Sequence, residues 1–286
     1  MSTVTPAMLP TEPPLTDRAF AFLTELVYRR SRIRLGPDKR ALLAGRLAGR
    51  LRDLGCESFD DYCGLLGPTN DDEAERLIDL VSTNHTHFFR EPAHFEFLGA
   101  EVLPAAATRA ATLQRPLRVW SAAAASGEEA YSLAIVLAEH FRAHPTAAWE
   151  VRASDISRRM LDRCRLGVYG ADRVCLPDEA LLARYFRRGF GSREGLYRVK
   201  PELRRQVITS AINLFQADYP VPRGLDVVFC RNVMIYFDEA SRQILVERLF
   251  EQLAPGGHLF VGHAESLLGL EHAFRQVQPA VYQRPA

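Results

Sequence analysis

An apolar run that ends abruptly in charge constrains this chain more than any other feature: Asp226-Val-Val-Phe-Cys-Arg-Asn-Val-Met-Ile-Tyr-Phe-Asp238. Val227 to Cys230 read as a buried strand, and Arg231-Asn232 at its carboxyl end open onto the edge where open α/β sheets bind ligands. Two other segments stop in the same way. Leu117-Arg-Val-Trp-Ser121 is followed by Ala-Ala-Ala-Ala-Ser-Gly-Glu-Glu129, and Trp149-Glu-Val-Arg-Ala-Ser-Asp155 ends on an acid. Three strand ends bearing polar groups imply one cleft.

The rest of the chain supports that reading. From Leu117 onward strands and helices alternate: strands 117–122, 149–154, 225–230 and 257–262, helices 127–142, 156–166 and 239–254. This rhythm predicts an α/β domain with a doubly wound, mostly parallel sheet. Phe274-Arg-Gln-Val277 and Ala280-Val-Tyr-Gln283 predict a closing hairpin. Between about 185 and 209, closely spaced glycines followed by apolar/basic alternation predict a small antiparallel excursion inserted in the domain. Thr16 to His87 read as helices, broken at Gly36-Pro37, Gly55 and Gly67-Pro68, which predicts an N-terminal helical domain over 16–90 and the sheet domain over 91–286. Pro92 suits the first turn of a new helix. The Pro-rich start, residues 1–15, reads as a flexible tail.

With 286 residues, 47% of them hydrophobic, the chain has enough apolar material for two cores. No run approaches the roughly 20 apolar residues of a membrane helix. The start lacks a signal-peptide pattern, so the expected location is the cytoplasm, without membrane insertion. Five cysteines, odd in number and without a C-x-x-C pair, argue against a disulfide framework or a zinc site. A net charge of +1 hides an asymmetry: Arg29 to Arg52 holds Arg29, Arg30, Arg32, Arg34, Lys39, Arg40, Arg46, Arg50 and Arg52 against the single acid Asp38. On a helix from about Asp38 to Leu54, Leu43, Leu47, Leu51 and Leu54 form one stripe and Lys39, Arg46 and Arg50 another. The basic stripe is either a solvated face or a docking face for an acidic polymer, nucleic acid or protein, and spacing does not choose.

Several residues can carry chemistry, each beside a structural role. Ser126 and Glu129 fit a capping box, while Glu129 can also accept hydrogen bonds from a ligand ammonium group. Asp155 is placed either to hold ribose hydroxyls or to cap a helix starting near Ile156. Asn213-Leu214 and Arg231-Asn232 extend the same wall. In Thr83-Asn-His-Thr-His-Phe-Phe-Arg-Glu91, His85 and His87 have no third ligand nearby, so no metal is expected. Arg90 suits either capture of a carboxylate or a salt bridge, for example to Glu96.

Taken together, Asn84-x-Thr86-x-Phe-Phe-Arg-Glu91, Trp120-Ser-Ala-Ala-Ala-Ala-Ser-Gly-Glu-Glu129, Ala153-Ser-Asp155, Asn213-Leu214, Phe229-Cys-Arg-Asn-Val-Met-Ile-Tyr-Phe-Asp238 and Gly262-His-Ala-Glu-Ser266 resemble, in order and spacing, the CheR-type chemoreceptor glutamate methyltransferases. The resemblance implies a class I S-adenosylmethionine (SAM) methyltransferase domain, preceded by a helical domain and carrying an inserted β-subdomain. It implies that Asn84, Thr86, Arg90, Glu129, Asp155, Asn213, Leu214, Arg231 and Asn232 surround S-adenosyl-L-methionine, and later its product S-adenosyl-L-homocysteine, with Arg90 and Tyr236 nearest the transferred methyl. As partners it implies the acidic methylation helices of a chemoreceptor's cytoplasmic domain, docked on Arg29 to Arg52, and a receptor C-terminal peptide bound near Gly189 to Gly195 by strand addition, with no nucleic acid partner. The chain departs from the family pattern at Ser126, Ala130 and Ala264, where Thr, Pro and Ser are usual. A nucleic-acid methyltransferase and a SAM-binding receptor adaptor without turnover stand as the other readings.

Overall fold

The computed structural model describes residues 13–67, 70–144 and 147–286. The chain divides into two compact units between Ser82 and Thr83, earlier than the 90/91 boundary expected from sequence. Residues 1–12 of the expected tail lie outside the described residues. Its last residue is not loose: Leu15 is buried and its carbonyl accepts a hydrogen bond from Arg40.

The first unit is built from α1 (Asp17–Ser31), α2 (Arg40–Leu54), α3 (Phe59–Leu65) and α4 (Asp71–Val81). Local chemistry sets the ends. Thr16 and Asn70 cap α1 and α4, Ser58 and Asp61 close a capping box on α3, and Gly55 ends α2 in the left-handed conformation. Leu43, Leu47 and Leu51 are buried, each contributing about 1.5–3 kcal/mol, while Leu54 leaves the stripe and is exposed. The helix expected to run to His87 stops at Val81. Ser82 turns extended, and the polar 83–87 stretch has no apolar 3–4 spacing to sustain a helix.

The basic stripe of α2 is largely occupied inside its own unit. Arg46 donates to the carbonyls of Val81 and Ser82 at the end of α4. Arg50 makes a bidentate pair with the buried Glu73, which also accepts from Tyr62. Arg30 and Arg40 pair with Asp71 and Asp17. Arg46 and Arg50 therefore stabilise the helical packing and form neither the solvated face nor the docking face that their spacing left open. Arg29, Arg32, Arg34, Lys39 and Arg52 are exposed, with Arg29 and Lys39 paired to Glu25 and Asp38.

In the second unit α5 (Pro92–Phe97), a π-helical turn (Leu98–Val102) and α6 (Leu103–Thr112) lead into β1 (Leu117–Ser121), α7 (Glu128–His140), β2 (Trp149–Asp155) and α8 (Arg158–Leu166). Next come β3 (Val168–Gly170), α9 (Glu179–Tyr185), β4 (Phe186–Arg188), β5 (Leu196–Val199), α10 (Pro201–Arg204), β6 (Val207–Ala211) and β7 (Leu225–Phe229). The chain closes with α11 (Glu239–Gln252), β8 (Leu253–Phe260), β9 (Arg275–Gln278) and β10 (Val281–Gln283). Seven strands form one sheet in the order β6-β2-β1-β7-β8-β10-β9, parallel except for the final hairpin. The chain moves outward from β1 through β2 to β6, then returns to the other side of β1 to lay down β7 and β8. The switch point therefore falls between β1 and β7, where the carboxyl ends of an open α/β sheet offer a ligand crevice.

Every residue of β7 is buried. Val227 and Phe229 pack with Val119, Val151 and Ile135 on one face of the sheet, Val228 and Cys230 with Trp120, Leu245 and Leu249 on the other. Two buried faces explain the uninterrupted apolar run.

The antiparallel insert is displaced from its expected 185–209. Its three strands are β3, β5 and β4, in that order, so it begins at Val168 and ends at Val199. Val207–Ala211 belongs to the main sheet, paired parallel to β2 with Val207 opposite Val151. Pro201 at the start of α10 breaks the run, and the basic Arg204-Arg205 ahead of β6 disguised a new strand as a continuation of the alternation. Gly189–Gly195 is the connection between β4 and β5, not a strand. The edges open to strand addition are β3 and β4.

Candidate functional site

The crevice is organised around one arginine. The side chain of Arg231, just past β7, is fully buried and binds two carboxylates, Glu91 Oε2 at 2.9 Å and Glu129 Oε2 at 3.1 Å. It also donates to the Arg90 carbonyl at 2.5 Å and lies over the rings of Phe95 and Phe229, each 5.6 Å from the guanidinium carbon. Arg231, expected beside a cofactor, ties the segment before α5 to the first turn of α7. Two acids share one cation, which leaves this end of the sheet with excess negative charge.

The two acids respond oppositely. Burial pushes the Glu129 carboxyl above its ordinary value, outweighing the Arg231 charge and the hydrogen bond from Ser121 Oγ at 2.7 Å. Burial also acts on Glu91, but there the bond and charge of Arg231, with Asn232 Nδ2 at 3.2 Å, win and hold the carboxyl below its ordinary value. Glu129 is the acid held less firmly in its charged form, with 12% of its side chain open to solvent.

The expected capping box at Ser126 does not form. Gly127, at φ 97°, is the N-cap of α7 and makes no side-chain cap, and Ser126 Oγ donates to Glu128 Oε2 at 2.7 Å. Glu129 is thereby left to the crevice. Gly127 is required twice, by its left-handed backbone and because a Cβ would sit 2.8 Å from Cys164 Cβ on α8. Glu128 is wholly buried and ion-paired with Arg173, which also donates to the Thr86 carbonyl at 3.1 Å. That bond fastens the segment carrying Asn84 and Thr86 to the start of α7.

Asp155 does not cap a helix, since Ser157 caps α8. One Asp155 oxygen accepts from the Ala125 amide at 2.8 Å and the other from the Ser157 amide at 2.9 Å, so the acid braces the turn after β1. Its carbonyl accepts from Ile212, which brings the end of β6 and Asn213-Leu214 alongside. Asn213 Oδ1 accepts from the Phe215 amide, and Leu214 is buried. Beyond Arg231, Asn232 adopts φ 58°, and Glu265 accepts from the amides of Asn232 (2.7 Å), Met234 (2.7 Å), Ile235 (3.3 Å) and Gly262 (2.6 Å). A Cβ on Gly262 would lie 2.5 Å from Asn232 Nδ2, so this close approach demands glycine. Phe89, Glu91 and Ala125 also have positive φ. Such backbone costs roughly 1–3 kcal/mol per residue and gathers where geometry is imposed by a site.

The structure therefore joins Glu129, Arg231, Asn232 and the Arg90 backbone directly, and Asp155 with Asn213-Leu214 through neighbouring strand ends. The Arg90 guanidinium donates to the His85 carbonyl at 3.0 Å, not to Glu96, and has no carboxylate partner among the described residues. Tyr236 lies half-buried on the short turn Met234–Tyr236, and its hydroxyl makes no hydrogen bond among the described residues. Sequence reading missed Glu91, Glu128, Arg173 and Glu265. Glu91 and Glu265 stood inside quoted motifs, but their partners come from remote segments. A separate apolar cavity of about 350 Å³, lined by Phe89, Pro92, Phe95, Val136 and Leu181, holds none of the expected site residues.

Comparison with known proteins places both units in one family. A family model described as CheR methyltransferase, SAM binding domain, matches residues 84–282, and one described as CheR methyltransferase, all-alpha domain, matches residues 18–82. The chain is 40% identical over 269 residues to the chemotaxis protein methyltransferase of Salmonella typhimurium, covering 94% of this chain and 90% of that one. It is 40% identical to the protein of that name from Escherichia coli, covering 94% and 91%. To chemotaxis protein methyltransferase 2 of Pseudomonas aeruginosa it is 40% identical, covering 93% of each.

Proposed function

The chain belongs to the CheR methyltransferase family, a class I SAM-dependent methyltransferase fold behind a helical domain, and from that premise we propose that it methylates glutamate side chains of chemoreceptors. Its relatives are chemotaxis protein methyltransferases, which supports SAM-dependent methylation in chemotaxis as the activity. The observation that carries the site assignment is the pair of carboxylates on one buried guanidinium at the switch point, because excess negative charge suits a cationic cofactor.

When bound, SAM supplies an electrophilic methyl, which a carboxylate oxygen takes as the carbon–sulfur bond breaks, leaving a methyl ester and S-adenosyl-L-homocysteine. A glutamate with an ordinary pKa of about 4.3 is already ionised at neutral pH, so the protein needs no general base. Its work is alignment. In this reading Glu129 receives the cofactor ammonium group and Asp155 the ribose hydroxyls, while Asn84, Thr86, Asn213, Leu214 and Asn232 complete the wall. Arg231 fixes Glu129. Arg90, whose charge no carboxylate among the described residues holds, positions the incoming glutamate, and Tyr236 orients it.

The receptor's acidic helices dock on the exposed cations of the first unit, among them Arg32, Arg34 and Arg52, in a weak, salt-sensitive contact. A receptor C-terminal peptide adds to β3 or β4 at the edge of the small sheet. The test is transfer of labelled methyl from SAM to receptor cytoplasmic fragments, with and without their terminal peptide. Label released as methanol by alkali supports the glutamyl ester. Alkali-stable label contradicts it, and cofactor binding without transfer leaves an adaptor.

A further inference from the structure

We propose that Glu91, His94 and His263 form a binding site for one divalent transition-metal ion of the zinc class, whose occupancy competes with Arg231 for Glu91. One donor atom from each residue lies within 4.8 Å of the other two. Glu91 Oε2 is 3.5 Å from His94 Nδ1 and 3.9 Å from His263 Nε2, and the two imidazole rings meet edge to face with centroids 4.7 Å apart. Tetrahedral coordination at about 2.1 Å places donors roughly 3.4 Å apart, so the set closes with a small rotation of His263.

A buried side chain without partners points to a ligand there. His94 is 2% exposed, yet neither ring nitrogen has a hydrogen-bond partner. A buried imidazole without partners is costly, and an ion between His94 and Glu91 would satisfy it. His263 has a 54% exposed side chain and offers an entry path. Two imidazoles and one carboxylate with an open fourth position are a zinc-type donor set, poorly matched to calcium or magnesium, which favour oxygen.

Glu91 Oε2 also pairs with Arg231 at 2.9 Å, so an ion at this oxygen draws Glu91 from the guanidinium that holds Glu129. Metal and SAM therefore oppose one another. This consequence rests on Glu129 facing the cofactor. The metal site itself does not.

Cobalt(II) titration of the full chain, read by visible absorption, tests the site directly. One equivalent should bind with a tetrahedral-type spectrum lacking a thiolate band, and zinc should displace it. His263→Ala, at an exposed position, should weaken cobalt binding by at least the roughly 10–100-fold that loss of an outer-shell partner costs. No cobalt spectrum, a thiolate band, or an unchanged His263→Ala titration would overturn the site. Zinc should also weaken SAM binding to the wild-type chain but not to His263→Ala. Equal SAM affinity with and without bound zinc would overturn the competition with Arg231.

Discussion

Strand β7 carries a buried ion cluster at each end, and the two have opposite stoichiometry. At the amino end Asp226, fully buried, is surrounded by two guanidiniums, Arg115 at 2.7 Å and Arg109 at 3.1 Å, and by the Arg118 amide at 3.0 Å. At the carboxyl end one guanidinium, Arg231, is shared by two acids. The amino-end acid, fully buried, accepts five hydrogen bonds on its two oxygens, which fills its acceptor capacity. At the carboxyl end charge is left over, one acid is pushed toward its neutral form by burial, and several residues with positive φ surround it. Buried charge alone does not mark a functional end of a strand. In the proposed reading, incomplete neutralisation does.

The largest expected effect lies at the amino end. Asp226→Asn strands two arginines and should lower stability by about 3–5 kcal/mol in denaturant unfolding. SAM affinity of the folded fraction should stay at the wild-type value, and a large loss of affinity would erase the distinction between the two ends. Next comes Arg90→Ala, expected to cut turnover by roughly 100-fold through lost alignment while leaving the unfolding midpoint unchanged. A near wild-type rate would remove Arg90 from the site.

A pH series separates the two acids on Arg231. Glu129, held above its ordinary value, protonates first as pH falls, whereas Glu91 stays ionised. SAM binding should weaken as pH drops through that raised range, and calorimetry in buffers of different ionisation enthalpy should find proton release on binding. The folding linkage has the opposite sign: the contribution of Glu129 is present below its unfolded pKa and lost as pH rises through the folded one. Glu91 contributes above its unfolded pKa and loses that contribution as pH falls. Proton uptake on SAM binding would reverse the assignment. The smallest effect is expected at Tyr236→Phe, where one hydrogen bond of about 0.5–1.5 kcal/mol gives at most a several-fold loss of turnover.

The fold was legible where one residue type repeats at one spacing. The apolar run at β7, with β1 and β2, read correctly as neighbouring strands of one parallel sheet, because burial on both faces leaves a continuous signature. The strands in and after the insert were not legible, unlike the equally short closing hairpin: β3 has three residues, and β6 follows Arg204-Arg205 with no glycine to announce it. Side-chain roles were the least legible. Ser126-x-x-Glu129 satisfies a capping rule that Gly127 pre-empts, and the Arg46 and Arg50 stripe is absorbed by α4 carbonyls and Glu73. Each depends on a partner from a distant segment, which local spacing does not encode.

The most direct measurement is a calorimetric SAM titration of Glu129→Gln beside the wild-type chain, with unfolding curves for both. If the surplus carboxylate at the carboxyl end of the sheet holds the cofactor, losing a charged hydrogen bond worth about 1.5–3 kcal/mol weakens affinity roughly 10–100-fold with the fold retained. Equal affinity in the two proteins would contradict the account.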